Sequence, residues 1–428
     1  MADVQNLKTF EKVLKENYLP VWNNMLNIEP TPFLAKIKKK TLKSNKIVAA
    51  ADIGLAGGFG FGEEGMNTPQ AGRVRFERFE TTAKDMYVDI GISAKAVRLT
   101  GSAGAMADAL DTEIKGAYAA AKWNVGRSYF GNGSGVLCKV RDATTYSNGV
   151  ITAYVNDVKM LKEGLTVDLY VKGGTTPDSN GTALRIKSIE HTTTTFTPAV
   201  KGDSATAEAE KVYKITLDGA SANTSITKAT ISSGTETGGG FITVQNSYNR
   251  EITGLGAIFD DNITKIYGVD KASNPYLYPT VIGCDTGGVT NQDITRGLRF
   301  AQREKNSDVD MLLCGDDAFD AYVAYLETNK LRVEGRELEG GFKSIKFIFG
   351  NKEVDVVNEQ FVPDGEMWGI DTSALELHTQ EWNFCELQGG GIFNLKENRS
   401  EYRALLANYG ELICKNPGGC VRFYNCAG

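Results

Sequence analysis

Histidine is nearly absent from this chain, with two in 428 residues, His191 and His378. A catalytic apparatus that needs an imidazole base would have to recruit one of them, from a Thr-rich segment or from a strand end. No Walker A, Gly-x-Ser-x-Gly or His-Glu-x-x-His string occurs, which removes the usual footholds for nucleotide hydrolysis, acyl transfer and zinc peptidase chemistry. No run of about eighteen apolar residues is present, and the opening MADVQNLKTF has neither a basic nor an apolar leader region, so we expect no membrane partner and a cytosolic product. A basic excess is missing too: 47 Lys and Arg stand against 53 Asp and Glu, a net charge of -6, unlike the basic face of a nucleic-acid reader. Only 10 prolines occur.

The seven cysteines are odd in number and scattered, which fits reduced thiols better than a disulfide framework. Cys414, Cys420 and Cys426 are spaced by six, which predicts one face of an extended segment, yet zinc ligands come as close pairs with a fourth partner. No metal and no cofactor is expected. The carboxylate pairs Asp316-Asp317 and Asp260-Asp261 suit helix capping or solvent better than acid–base work.

What is present in abundance is glycine, 47 residues, concentrated in loops and pointing to tight turns and β structure. The organising stretch is Gly104 to Gly131. Met106, Leu110, Ile114, Ala117, Ala121 and Val125 recur at three- and four-residue spacing, the apolar stripe of one long amphipathic helix. Asp108 and Asp111 near its start and Lys122 and Arg127 near its end complement the macrodipole, and Asp111 can pair with Lys115. At about 1.5 Å per residue this rod is on the order of 40 Å long. It reads as a spine.

Before it, residues 3 to 28 predict a helix (Val4, Leu7, Phe10, Leu14, Leu19, Trp22 apolar) bent or broken at Pro20 and ended by Pro30 and Pro32. The basic run from Lys36 to Lys46 reads as a solvated face or as contact with nucleic acid or an acidic partner. Residues 47 to 100 predict one very long hairpin, Ile47 to Ile53 against Val74 to Val97, with a glycine-rich tip between them. Within the tip, Gly60 to Gly65 matches a dinucleotide-binding spacing, but Pro69 follows too soon for a helix and Glu63 and Glu64 would repel phosphate. Phe59 and Phe61 have no local core to join. Their natural cover is another chain.

After Gly131-Asn-Gly-Ser-Gly135, a flexible joint, the composition turns to Thr, Val, Gly and Ser up to about Asn249. Strand candidates (149–155, 164–171, 183–189, 212–217, 241–244) separated by Asn-Gly and Gly-Gly turns predict a small all-β sandwich or barrel inserted between α-containing flanks. From Ile252 an α+β pattern resumes. Thr290 or Asn291 caps a helix to about Arg303, Asp310 to Cys314 is a buried strand, and Asp316 to Asn329 is a second helix. Strands follow at 343–349, 352–357, 366–370 and 374–378. Tyr402 to Cys414 gives a long last strand or two, and Pro417-Gly-Gly419 turns the tail.

The strings GSAGAMADALDTEIKGAYAAAKWNVGRSYFGNGSG, ITGLGAIFDDNITKIYGVDKASNPYLYP, MLLCGDDAFDAYVAYL and ANYGELICKNPGGC, in this succession, resemble the major capsid protein of tailed bacteriophages. The resemblance covers the chain apart from the insertion, where it is one of position only. It implies an α+β Johnson-type fold, shared with encapsulins: an N-terminal arm (1–45), an E-loop hairpin (46–100), the spine helix of a peripheral domain (101–135), the inserted β domain (136–250), an axial α+β domain (251–375) and returning peripheral strands with a C-terminal tail (376–428).

It implies no enzyme but a self-assembling homo-oligomer, hexamers and pentamers of an icosahedral virion shell around double-stranded DNA, built in the host cytoplasm. Phe59, Phe61, Glu63, Glu64, Arg73, Arg75 and Arg78 would make the inter-subunit contacts at the E-loop, the arginines meeting acidic groups across the junction. Some family members cross-link this loop through a lysine, and lysine is absent between Lys46 and Lys84 here. The direct start with the arm implies a separate scaffolding protein; portal and decoration proteins are further partners. Two alternatives are an encapsulin-like compartment and, in another class, a glycan-binding or glycan-cleaving β protein that uses the insertion.

Overall fold

The computed structural model describes residues 12, 14–28, 30–52, 59–61, 76–93, 103–143, 149–155, 157–178, 181–195, 209–219, 240–284, 288–329, 335–337, 343–386, 391–395 and 401–427. The chain forms two units: residues 1–132 with 252–428, and residues 133–251. It is mixed α+β, in keeping with the sequence pattern.

In the first unit, one π-helical turn, Leu14–Tyr18, runs into helix α1, Leu19–Ile28. Pro20 therefore does not break the helix. It occupies the first turn of α1, where a missing N–H goes unneeded. The expected residues Val4, Leu7 and Phe10 lie outside the described residues. Trp22 packs on Tyr118 of the spine at 5.3 Å between ring centroids, and Phe33 and Leu34 are fully buried after it. The spine, α2, is Ala103–Ser128.

The basic run forms β1 (Lys38–Thr41), and β2 (Lys46–Asp52) opens the hairpin. β2 pairs antiparallel with β3 (Phe76–Thr82), from Lys46 opposite Thr82 to Asp52 opposite Phe76. The second arm was expected to run on unbroken, and it does not: after Ala83 it becomes β4 (Lys84–Ser93), which leaves β2 and joins another sheet. Alternation along both segments is the same, so the sequence carries no mark of a change of partner.

Residues 133–251 form a closed six-stranded barrel by themselves. Its strands are β5 (Val136–Ala143), β6 (Val150–Val155), β7 (Thr166–Tyr170), β8 (Leu184–Thr195), β9 (Ala209–Asp218) and β10 (Phe241–Val244), in the order β10-β5-β6-β9-β8-β7. β5 was not among the expected strands. Inward residues alternate along β6, and Val140, Ile151, Leu169, Ile186, Leu217 and Ile242 fill the interior. Asp168 closes one end: its carboxylate accepts from the N–H of Ala183 at 2.9 Å and of Asn246 at 2.7 Å. Both are non-glycine residues at φ 54 and 59, so the buried carboxylate holds two strained turns in place.

The remainder of the first unit contains helix α3 (Gly256–Phe259), a ribbon of β11 (Lys265–Ile266) and β12 (Val269–Asp270), and strand β13 (Thr280–Gly283). Helix α4 (Asn291–Lys305) starts with a complete capping box of Thr290 and Asp293. Next come the wholly buried β14 (Met311–Cys314), helix α5 (Asp316–Thr328), β15 (Gly335–Glu337), β16 (Lys343–Phe349), β17 (Lys352–Asn358) and β18 (Met367–Ile370). β19 (Leu375–Thr379), β20 (Asn383–Phe384), β21 (Phe393–Leu395), β22 (Glu401–Cys414) and β23 (Val421–Tyr424) complete the chain.

Two sheets result. In the first, the 14-residue β22 is the hub. β4 lies along it from Ser93 opposite Glu401 to Lys84 opposite Gly410, while β21, β20 and β19 pair with it in succession and β1 joins β19 in parallel. The second sheet has seven strands in the order β13-β23-β18-β14-β17-β16-β15. Ile294, Leu298 and Ala301 of α4 and Ala318, Tyr322 and Leu326 of α5 pack on Leu312, Val354, Val356 and Phe423 in its core. The end of the chain is thus a strand inside this sheet, where a turned tail belonging with residues 376–414 was expected. The physical reason is the 3-10 turn at Pro417–Gly419, which ends the hub strand and redirects the chain between β13 and β18.

Candidate functional site

The hairpin is fastened at its base and bare at its far end. At the base, the Ala83 N–H donates to the Asn45 carbonyl at 2.9 Å. Ile47, Ala49 and Ala51 are buried at alternate positions of β2, as is Phe79 of β3. Phe79 packs on Tyr267, with ring centroids 5.4 Å apart, and the Glu80 N–H donates to the Tyr267 carbonyl at 2.9 Å. Tyr267 takes φ 49 to make this reach, between the two strands of its small ribbon. Its hydroxyl oxygen in turn accepts from the Cys414 N–H at 3.1 Å, so one buried tyrosine joins the hairpin to the hub strand. Burial drives its phenol pKa well above the ordinary value, against the help of that Cys414 bond.

At the far end, Phe59 and Phe61 are 85% and 96% exposed, and their rings meet edge to face at 5.2 Å. Glu63, Glu64, Arg73 and Arg75 lie outside the described residues. Arg78 is described: it is exposed, and its Nε lies 2.7 Å from Glu80 of its own strand. Lys46 reaches the same carboxylate at 2.6 Å, and these cations, Lys46 foremost, hold the Glu80 carboxyl below its usual pKa range.

The spine buries Ile114, Ala121 and Val125, Ala117 is half-buried, and of Met106 and Leu110 only the helical backbone is described. The helix is seated by its last turns. Phe130 stacks between Phe33, Phe361 and Trp368 at centroid distances of 5.7, 5.8 and 6.2 Å. Here the chain leaves for the barrel and returns: the Leu255 N–H donates to the Tyr129 carbonyl at 2.7 Å, and Asn132 donates to Asp260 at 3.0 Å. Gly254 and Gly256 permit this approach, since a Cβ at either would collide with the carbonyls of Tyr129 and Phe130. Lys271, only 1% exposed, donates to the carbonyls of Ala257, Ile258 and Asp260 at 2.8, 3.3 and 3.3 Å and so caps α3. Burial lowers its pKa, against the pull of Asp260 and Asp261.

The basic run is partly absorbed into internal ion pairs. Lys36 lies 2.5 Å from Asp355. Lys40 and Lys415 lie 2.8 and 2.7 Å from the two oxygens of buried Glu376. Burial alone would raise the Glu376 pKa, but the two lysine hydrogen bonds outweigh it and hold the carboxyl down at about 2. Glu411 has the opposite fate. It is fully buried, accepts from the Thr253 N–H at 2.7 Å, and leaves its second oxygen without a partner, so burial pushes its pKa up to about 7. No sequence pattern marked Tyr267, Lys271, Glu376 or Glu411. Only the Tyr267-Gly268 pair in a turn-like context hinted at a special backbone.

His191 packs edge-on against Tyr213 at 5.1 Å in the barrel, and His378 lies 3.5 Å from Glu376, with burial lowering its pKa. Among the described residues no group of three or more His, Cys, Asp or Glu is placed to hold a metal ion. Cys414, Cys420 and Cys426 do not share one extended face, because the 3-10 turn separates them; Cys426 instead faces Cys284, with Sγ atoms 3.5 Å apart. Asp316 and Asp317 sit in the first turn of α5. No helix among the described residues is long and apolar enough to cross a membrane.

No protein-family model matches the chain, and no curated protein matches it in sequence. Solved structures similar to it include chains of phage particles and of an encapsulin. A chain of the Cyanophage A-1(L) capsid asymmetric unit is 10% identical, with 92% of this chain and 91% of that one covered at a TM-score of 0.49. A Mycobacterium phage Bobi chain is 10% identical, with 92% and 90% covered at 0.41. The SrpI encapsulin of Synechococcus elongatus PCC 7942 is 8% identical, with 91% and 85% covered at 0.40.

Proposed function

We propose that this chain is a shell-forming subunit, the major capsid protein of a tailed-bacteriophage type of particle, whose copies close into hexamers and pentamers and enclose double-stranded DNA. The role is structural, with no catalysis. The observation that carries the reading is the exposed Phe59 and Phe61 pair at the end of a hairpin whose base is locked into the body. Two phenylalanines left in water forgo roughly 1.5–3 kcal/mol of burial each, and covering them with a second copy recovers it. A tip that covers a different patch on the next copy makes a heterologous contact, the kind that closes rings.

The inserted barrel would then serve as an outward or inter-capsomer module, open to a decoration protein, while a separate scaffolding protein and a portal complete the assembly. A shell with net charge -6 limits its grip on packaged DNA. Gel filtration and electron microscopy of the expressed full chain test the reading. Rings or closed particles support it, and a monomer under all conditions overturns it. DNA inside particles from infected cells distinguishes a capsid from an encapsulin-like compartment, which would hold protein cargo.

A further inference from the structure

Helix α4 buries one face, Ile294, Gly297, Leu298 and Ala301, in the core of the seven-stranded sheet. Its outer face is different in kind. Arg296, Arg299 and Arg303 are all exposed, at spacings of three and four that place them along one line of the helix, spanning about 10 Å. They border a shallow groove of about 550 Å³ that also takes in Gln292, Thr295 and Phe300. Asp293, one of the two acids of α4, is held in the capping box, where it accepts from Thr290 at 2.6 Å and lies 3.5 Å from Arg296. The other, Glu304, pairs with its neighbour Arg303 at 3.1 Å. Phe300 supports the Arg303 guanidinium from below, 5.3 Å from its ring centroid.

In a chain of net charge -6, this is a concentrated line of fixed positive charge without a single lysine. Guanidinium forks match phosphate oxygens in pairs, and the glutamine and threonine beside them add neutral donors of the kind that bind nucleic-acid backbone.

We infer that the outer face of α4 is a phosphate-backbone contact for duplex DNA, without base readout. Three guanidiniums beside neutral donors match a phosphate backbone, so the contact we assign is electrostatic and sequence-blind. The inference deepens the shell reading by giving the enclosed DNA a named place on the subunit, and it is tested separately from assembly.

The probe is a fluorescent 30-base-pair duplex titrated with the full-length chain by anisotropy between 50 and 200 mM salt, for the natural protein and for the triple variant R296Q/R299Q/R303Q. The natural chain binds with an affinity that falls steeply with salt. The triple variant keeps its fold, with a melting temperature only slightly lowered because the pairs it loses, Arg296 to Asp293 and the Gly283 carbonyl and Arg303 to Glu304, are exposed, and it binds at least tenfold more weakly. Its log–log salt slope is smaller by roughly 3, one contact per arginine. Changing the duplex sequence alters neither result.

Equal affinity and slope for the two proteins overturn the inference, as does a natural chain that does not bind duplex at 50 mM salt. A triple variant that binds DNA normally but no longer assembles also overturns it and assigns the face to copy–copy contact. Arginine-dependent DNA binding by a chain that never assembles sustains the inference and defeats the shell reading.

Discussion

The hydroxyl of Tyr267 accepts the backbone N–H of Cys414 at 3.1 Å, and through this one bond the root of the exposed hairpin is coupled to the hub strand of the six-stranded sheet. The same residue's carbonyl holds Glu80 and its ring holds Phe79. Tyr267→Phe keeps the ring and the backbone bond but strands the Cys414 N–H in a dry site, which costs about 1–3 kcal/mol. Denaturant unfolding measures that loss. Hydrogen exchange separates the two halves of the coupling, with Cys414 exposed to exchange and Glu80 still protected.

Glu411 makes the stability of the first unit pH-dependent near neutrality. Its pKa is raised to about 7, so the folded state prefers the protonated carboxyl. The contribution is full below the unfolded carboxyl pKa, near 4.5, and is lost as pH rises through 7. Glu411→Gln removes that loss. The natural chain falls by on the order of 2–3 kcal/mol relative to the variant between pH 5 and pH 8.5, read from denaturation midpoints across that range.

Glu376 works in the other direction. Its pKa is held down at about 2, so its contribution is present above pH 4.5 and disappears as pH falls through 2. The partner lysines are half exposed, and screening reduces the benefit to about 1–2 kcal/mol. Glu376→Gln lowers stability at pH 6 by that amount and flattens the acid limb of the profile. Lys415→Met alone gives about half the effect.

The barrel unfolds as its own cooperative unit. Leu169→Ala and Ile242→Ala, both at fully buried positions, each destabilise it by about 2–5 kcal/mol. Calorimetry shows one of two transitions moving down while the other stays in place.

The sequence made local features legible and left non-local ones hidden. The box of Thr290 and Asp293, the buried run 311–314, the strand at 343–349 and the long strand ending at Cys414 announce themselves through caps, composition and period, all of which act within a few residues. The change of partner at Ala83, the seat of β23 between β13 and β18, and the paired lysines around Glu376 depend on residues far away in the chain. No local pattern encodes them. Pro20 misled because proline is a breaker in a helix interior but harmless in a first turn. The exposed phenylalanines were legible for the opposite reason: a glycine-rich loop with no apolar neighbours leaves them nowhere to go. The Arg78–Glu80 pair went unread although it is local, two residues apart on one face of β3.

The central claim is that the hairpin end binds another copy, and sedimentation velocity of the full-length chain against Phe59→Ala/Phe61→Ala tests it most directly. The account predicts that the natural chain sediments as capsomers or closed particles. The double variant should remain folded, with its melting temperature unchanged within experimental error because both rings are in solvent, and sediment as a monomer. A natural chain that stays monomeric, or a double variant that assembles as well as the natural one, would contradict it.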